Sequence, residues 1–180
     1  MTDLIPEPAL GADAPMRREI GAVTLTERTD VGLASLALRA AASEPAPFGL
    51  ILPGPGDSVV LQDKGAFWTG PGQWMIEGSE NGDFAATVAA EAPGCSVTEQ
   101  TDGWVVLDLV APAEALGTLL ERLVNLPPEA LTPGKATRTL MHHMSVVLIR
   151  RSDSRLTVMG MRSLAGSLWH ALEDTAARLA

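Results

Sequence analysis

Ala136-Thr137-Arg138-Thr139, the apolar run Val146-Val147-Leu148-Ile149, the segment Arg155-Leu156-Thr157-Val158-Met159-Gly160-Met161 and the following Arg162-Ser163-Leu164-Ala165-Gly166-Ser167-Leu168-Trp169 form the stretch on which the fold turns. Arg138 leads into a strand through Ile149, and Arg155 to Met161 is a second strand. Alternation sends Met144, Val146 and Leu148 to one side and His143, Ser145, Val147 and Ile149 to the other. The period then changes. Ala165, Leu168, Trp169, Leu172, Ala176 and Leu179 share one face of a helix with Ser163 as its N-cap, and Asp174 and Arg178 are spaced as an ion pair. The unit reads strand, strand, helix.

Upstream, residues 126 to 134 read as a loop. Leu116, Leu119, Leu120 and Leu123 recur at i, i+3, i+4, i+7 behind Pro112, an amphipathic helix closed by Asn125 and Pro127-Pro128. Ser96 to Glu99 and Trp104 to Val110 are strands around the turn signal Thr101-Asp102-Gly103. Asn81 to Ala90 is a helix capped by Asn81 or Asp83, with Phe84 and Val88 on one face, ended by Pro93-Gly94. Phe67-Trp68-Thr69 and Gln73-Trp74-Met75-Ile76 flank Gly70-Pro71-Gly72 as a hairpin that can bring Trp68 and Trp74 to one face. Glu44 to Leu52 reads as a short helix after Pro47, stopped by Pro53-Gly54-Pro55-Gly56. Leu33 to Arg39 is ambiguous between strand and helix and is taken as a strand; Val23 to Glu27 alternates as one. Residues 1 to 17, with Pro6, Pro8, Gly11 and Pro15, form an irregular arm, and residues 18 to 180 form a single domain. The class is α+β: antiparallel sheets with helices packed on them.

Composition narrows the function. A chain of 180 residues that is 46% hydrophobic and 19% charged folds rather than staying disordered. Its one cysteine, Cys95, excludes a disulfide within the chain and fits a reducing cytoplasm. The net charge of −9 opposes binding to nucleic acid. Met1-Thr2-Asp3-Leu4-Ile5-Pro6 is not a secretory signal, and no run is long enough for a membrane helix, so a cytoplasmic protein without membrane contact is expected. Arg138, Arg150, Arg151, Arg155 and Arg162 crowd one span, either as a basic patch for an acidic partner or as solvated strand ends.

Catalytic signals are sparse. Gly54-Pro55-Gly56 and Gly70-Pro71-Gly72 read as turns, because proline deletes the amides that cradle phosphate. His142 and His143, adjacent on a strand, diverge and make poor joint metal ligands, and His170 edges a helix. Cys95 has no neighbouring base, and Gly-x-Ser-x-Gly is absent. No catalytic, cofactor or metal residue is assigned. Asp108 shares a strand face with the apolar Trp104, Val106 and Val110, so it needs a partner or its pKa rises; a buried ion pair, with Arg138 as one candidate partner, is favoured over a catalytic base. Trp68, Trp74 and Trp169, with Arg138 and Arg162, are structural or interface candidates, since tryptophan is enriched where proteins bury themselves against one another.

The closing stretch, together with Trp68-Thr69-Gly70-Pro71-Gly72-Gln73-Trp74, Trp104-Val105-Val106-Leu107-Asp108 and Leu119 to Leu126, resembles the gamma subunit of heterotetrameric sarcosine oxidase over most of residues 20 to 175. The resemblance implies a fold similar to the folate-binding domain of aminomethyltransferases of the glycine-cleavage T-protein type. It implies a place beside alpha, beta and delta subunits in an enzyme that oxidatively demethylates sarcosine to glycine. That enzyme yields hydrogen peroxide and methylene-tetrahydrofolate. FAD, FMN, NAD and zinc are then held by the partner subunits, and this chain has an assembly role without catalysis. Two rivals stand beside it. One is a free-standing folate-binding or aminomethyltransferase-like protein using Asp108. The other is a regulatory factor docked through its arginines.

Overall fold

Period-two alternation runs through most of the chain, and the computed structural model, which describes residues 7–40, 42–79 and 82–180, turns it into two antiparallel sheets. In chain order the strands are β1 (Arg17–Ile20), β2 (Val23–Arg28), β3 (Gly32–Leu38), β4 (Ser58–Leu61), β5 (Lys64–Gly70), β6 (Gln73–Gly78), β7 (Cys95–Glu99), β8 (Trp104–Val110), β9 (Ala136–Met141), β10 (Met144–Ser152) and β11 (Arg155–Met161). The helices are α1 (Phe84–Glu91), α2 (Ala113–Leu123) and α3 (Ala165–Ala177). One sheet is ordered β1-β2-β8-β11-β10-β9, the other β4-β5-β6-β3-β7. The expected α+β class with antiparallel sheets is what the structure shows.

The layers follow from which strand faces are apolar. The outer face of the six-stranded sheet (Leu25, Val105, Leu107, Leu109, Val146, Leu148, Leu156 and Val158) is covered by α2 and α3. Gly160 lets α3 approach, because a Cβ there would collide with Leu168. The outer face of the five-stranded sheet (Ala34, Leu36, Ala66, Trp74 and Ile76) is covered by Phe84, Ala85 and Val88 of α1. Between the sheets, Leu33, Phe67 and Met75 meet Val106, Val147, Ile149 and Met159. The order is helices, sheet, sheet, helix. Strands buried on both faces explain why β10 and β11 read as continuous apolar runs.

Several expectations need correction. The closing unit has three strands, because Ala136–Met141 is itself a strand, paired to β10 across the two-residue loop His142-His143. Both loop histidines have positive φ (47° and 70°), so they lie in a tight turn, exposed, and not along a strand. β7 and β8 flank Thr101-Asp102-Gly103 but belong to different sheets, so that turn is a crossover. Residues 44–52 contain only a 3₁₀ turn at Pro47–Gly49. Ser58–Leu61 is an edge strand that was not anticipated. α3 has Leu164 at its N-cap with no side-chain cap, Ser163 lying in the preceding 3₁₀ turn. Asp83 does cap α1, accepting from the Ala86 amide at 2.9 Å; Asn81 lies outside the described residues.

The arm is irregular from Glu7 to Pro15, yet it is held. The buried Glu27 carboxylate accepts from the Leu10 amide at 3.0 Å and the Met16 amide at 3.2 Å. Arg162 Nη2 donates to the Glu7 carbonyl at 2.6 Å, and Leu10 and Met16 pack against the α2–α3 core. Residues 1–6 lie outside the described residues.

Candidate functional site

The inner face of the six-stranded sheet changes character halfway along β8. Val106 belongs to the apolar layer; Asp108, two residues on, does not. Opposite it in register stand Thr157 of β11 and Thr26 of β2, with Arg155 and Arg28 one pair away on the same face. Arg151 follows Val147 and Ile149 onto this side of β10, at a bulge between Arg150 and Ser152. From the other sheet β6 contributes Glu77, and Gly65 of β5 lies opposite; a Cβ on Gly65 would stand 2.9 Å from Glu77 Cγ. The sheets part here around a cleft of about 300 Å³ lined by these groups, Thr26 excepted, with Asp30, Asp63, Lys64 and Val106.

One hydrogen-bonded chain of charges runs through the cleft. Arg151 grips Glu77 in a two-pronged pair at 2.5 and 2.7 Å and donates from Nε to Thr157 Oγ1 at 3.0 Å. Thr157 donates to Asp108 Oδ1 at 2.6 Å. Asp108 Oδ2 accepts from Arg155 at 2.5 Å and Arg28 at 2.9 Å, and Arg28 forks onto both oxygens of Asp30 at 2.6 and 2.8 Å. Burial on its own pushes the Asp108 carboxyl up, but the Thr157 hydroxyl and the two guanidiniums outweigh it and hold the group below the usual carboxylate range. Asp30 is held low mainly by Arg28, whose own ionisation is raised by Asp30 and Asp108 against the pull of burial. Arg28, Arg151, Arg155 and Lys64 face Asp30, Asp63, Glu77 and Asp108. Four charges of each sign make the cleft polar and self-neutralising. Both oxygens of Asp108 already have donors, which suits an ion-pair centre better than a proton acceptor.

Of the residues singled out from sequence, Asp108 is in this cleft together with two of the crowded arginines, Arg151 and Arg155. Its buried ion pair is present, but the partners are Arg28 and Arg155; Arg138 is exposed on β9 at the far edge of the sheet. Trp68 and Trp74 pair across the β5–β6 hairpin on one face, but that face is the core under α1, where Trp74 Nε1 donates to the Pro53 carbonyl at 2.8 Å. Trp169 is 2% exposed, inside the α2–α3 core. Arg162 latches the arm. Glu77 was missed because its partner is 74 residues away, and Arg28 because one arginine after a strand carries no signal. Among the described residues, no group of three or more histidine, cysteine or acidic side chains is placed to hold a metal ion, and no helix is long and apolar enough to cross a membrane.

No protein-family model matches the sequence, and no curated protein matches it significantly. Solved structures do. A chain of the heterotetrameric sarcosine oxidase from Corynebacterium sp. U-96, solved in complex with pyrrole 2-carboxylate, superposes with a TM-score of 0.72 at 23% identity, covering 87% of this chain and 84% of that one. The glycine cleavage system aminomethyltransferase T from Bartonella henselae superposes with a TM-score of 0.57 at 16% identity. That match covers 86% of this chain but 48% of the aminomethyltransferase, so this chain spans about half its length. The fold is therefore the one shared by a sarcosine oxidase chain and part of an aminomethyltransferase.

Proposed function

We propose that this chain is the gamma-type assembly subunit, without catalysis of its own, of a heterotetrameric sarcosine oxidase, a cytoplasmic enzyme whose alpha, beta and delta subunits hold FAD, FMN, NAD and zinc. The observation that carries this reading is the mutual coverage: the match to the sarcosine oxidase chain spans more than four-fifths of both chains. The cleft supports it, since its carboxylates are committed to arginine and lysine side chains. The free-standing folate-binding alternative needs Asp108 to accept from a ligand, and Thr157, Arg28 and Arg155 already take that capacity.

An assembly subunit needs a docking face, and the buried Trp74 and Trp169 do not supply one. The inner face of the six-stranded sheet does, beyond the cover given by Phe67 and Met75. Met161 pairs with Trp104 and Leu140 with Ser145 on this face, and Leu140 and Met161 are 62% and 48% exposed. Arg138 stands beside them on β9. This apolar row with a basic edge is the surface assigned to a partner subunit.

Affinity purification of the tagged chain from its source tests the reading. A yellow complex with larger subunits that oxidises sarcosine is expected, and Leu140→Glu with Met161→Glu should release the subunits while the chain stays folded. A colourless lone chain that binds tetrahydrofolate would overturn it in favour of the folate-binding alternative.

A further inference from the structure

Arg150 lies on the opposite face of β10 from the charged cleft. Alternation puts it with Val146 and Leu148 under the helices, and its cross-strand partner is Leu156. Its side chain is carried into the protein: the residue is 7% exposed. Nη2 donates to the Asp153 carbonyl at 2.6 Å, but among the described residues Nε and Nη1 meet no acceptor. Burial pulls its ionisation down and only the charge of Asp153 opposes that. The arginines of the cleft all have carboxylate partners, so Arg150 is an exception within its own strand pair. A buried guanidinium with two donors unused and no carboxylate hydrogen-bonded to it is costly, and native proteins satisfy such groups.

Beside it is a cavity of about 210 Å³ between the C-terminal half of α2 and the segment 124–131. Leu120, Val124, Leu126, Pro128 and Leu131 make its wall apolar, and Glu121 is the other charged group lining it. We propose that this cavity binds a small monocarboxylate with a compact apolar body, its carboxylate seated on Arg150. A guanidinium presents its donors on separate edges, so the carboxylate takes one edge, shared with the second hydrogen of Nη2. With Glu121 also on the lining, the one guanidinium suits at most a single negative charge and not a phosphate dianion. At roughly 30 Å³ per water-sized group the cavity holds about seven such groups, the size of a benzoate or a short branched acid. Nε and Nη1 are shut off from solvent, so a carboxylate reaches them only by displacing the groups that cover them. The site is independent of the assembly reading above.

Benzoate and its neutral counterpart benzamide, titrated into the full chain, test this. Calorimetry should show saturable benzoate binding with a dissociation constant of about 1 mM or tighter. The Arg150 Nε–H signal in ¹⁵N spectra, assigned by its loss in Arg150→Gln, should move with benzoate and not with benzamide. Leu131→Trp, which fills the cavity and leaves the guanidinium in place, should abolish both effects, so the test survives if Arg150→Gln fails to fold. Absence of saturable binding, or equal response to benzamide, overturns the proposal. So does a Glu121→Gln variant that melts lower while benzoate leaves the Nε–H signal unmoved, since Glu121 would then be the counter-ion.

Discussion

Asp108 shows how one side chain is fixed by register. It stands where an apolar strand face becomes polar, and three donors from two neighbouring strands converge on it. Its depressed pKa makes stability depend on pH with a definite sign. Protonation is easier in the unfolded chain than in the native one, so the stabilisation is complete above the unfolded value, about 3.9, and is lost as pH falls through the lower native value. Urea unfolding from neutral to acid pH should therefore show a loss of stability below about pH 4 that is shallower in Asp108→Asn. At neutral pH Asp108→Ala should cost about 2 kcal/mol, because it takes the carboxylate from the half-exposed Arg155 and leaves Arg28 with Asp30 alone. Thr157→Val, which removes one donor and keeps the shape, should cost about 1–2 kcal/mol. The need for a partner was legible in the sequence, since an acid among Trp104, Val106 and Val110 has to be compensated. The partner was not, because Arg28 is 80 residues distant and only strand order brings it alongside.

At the scale of elements, the β9–β10 hairpin was hidden and α2 was plain. α2 buries Leu116, Leu119, Leu120 and Leu123, the i, i+3, i+4, i+7 set its sequence displays. The hairpin lacks the Asn-Gly or Asp-Gly pair that marks a two-residue loop whose central residues both have positive φ. Histidine enters that region less readily than glycine, so His142 and His143 are held there by pairing of Met141 with Met144 and of the strands beyond. Installing the favoured pair, as His142→Asn combined with His143→Gly, should raise stability by about 1 kcal/mol, read as a higher melting temperature with no change in the far-ultraviolet spectrum. An unchanged or lower melting temperature would show that the histidines make compensating contacts of their own. The arm teaches the converse. Proline and glycine announce its lack of regular structure, but nothing local announces that Glu27 and Arg162 fasten it. Glu27→Gln should loosen it, seen as faster amide exchange at Leu10 and Met16.

For the whole molecule, the sequence shows two-sided strands and three helical stripes, which is enough for a layered α+β protein but not for the partition into sheets. Thr101-Asp102-Gly103 signals a turn in either case; that it carries the chain from one sheet to the other depends on Thr101, whose hydroxyl accepts from the Leu33 amide at 2.9 Å, and on Glu99, which accepts from the amides of Ala85, Gln100 and Thr101. Where the two sheets meet, the apolar layer gives way to a polar clamp, the two-pronged Arg151–Glu77 pair. A clamp of this kind is unequal to the sum of its halves. Taking away one partner leaves the other charge buried, whereas replacing both with apolar groups removes the desolvation cost along with the attraction. Glu77→Met should therefore lose about 3 kcal/mol, and Glu77→Met with Arg151→Met should recover most of it. Gly65→Ala should mimic the single variant, because its Cβ would displace the Glu77 side chain. The measurement is a double-mutant cycle by urea unfolding. Additive losses would mean that Arg151 and Glu77 act independently and that the sheets are joined by Phe67, Met75 and their apolar partners with the Asp57–Lys135 bridge; recovery in the double variant would show that the clamp sets which cleft geometry is adopted rather than how strongly the layers adhere.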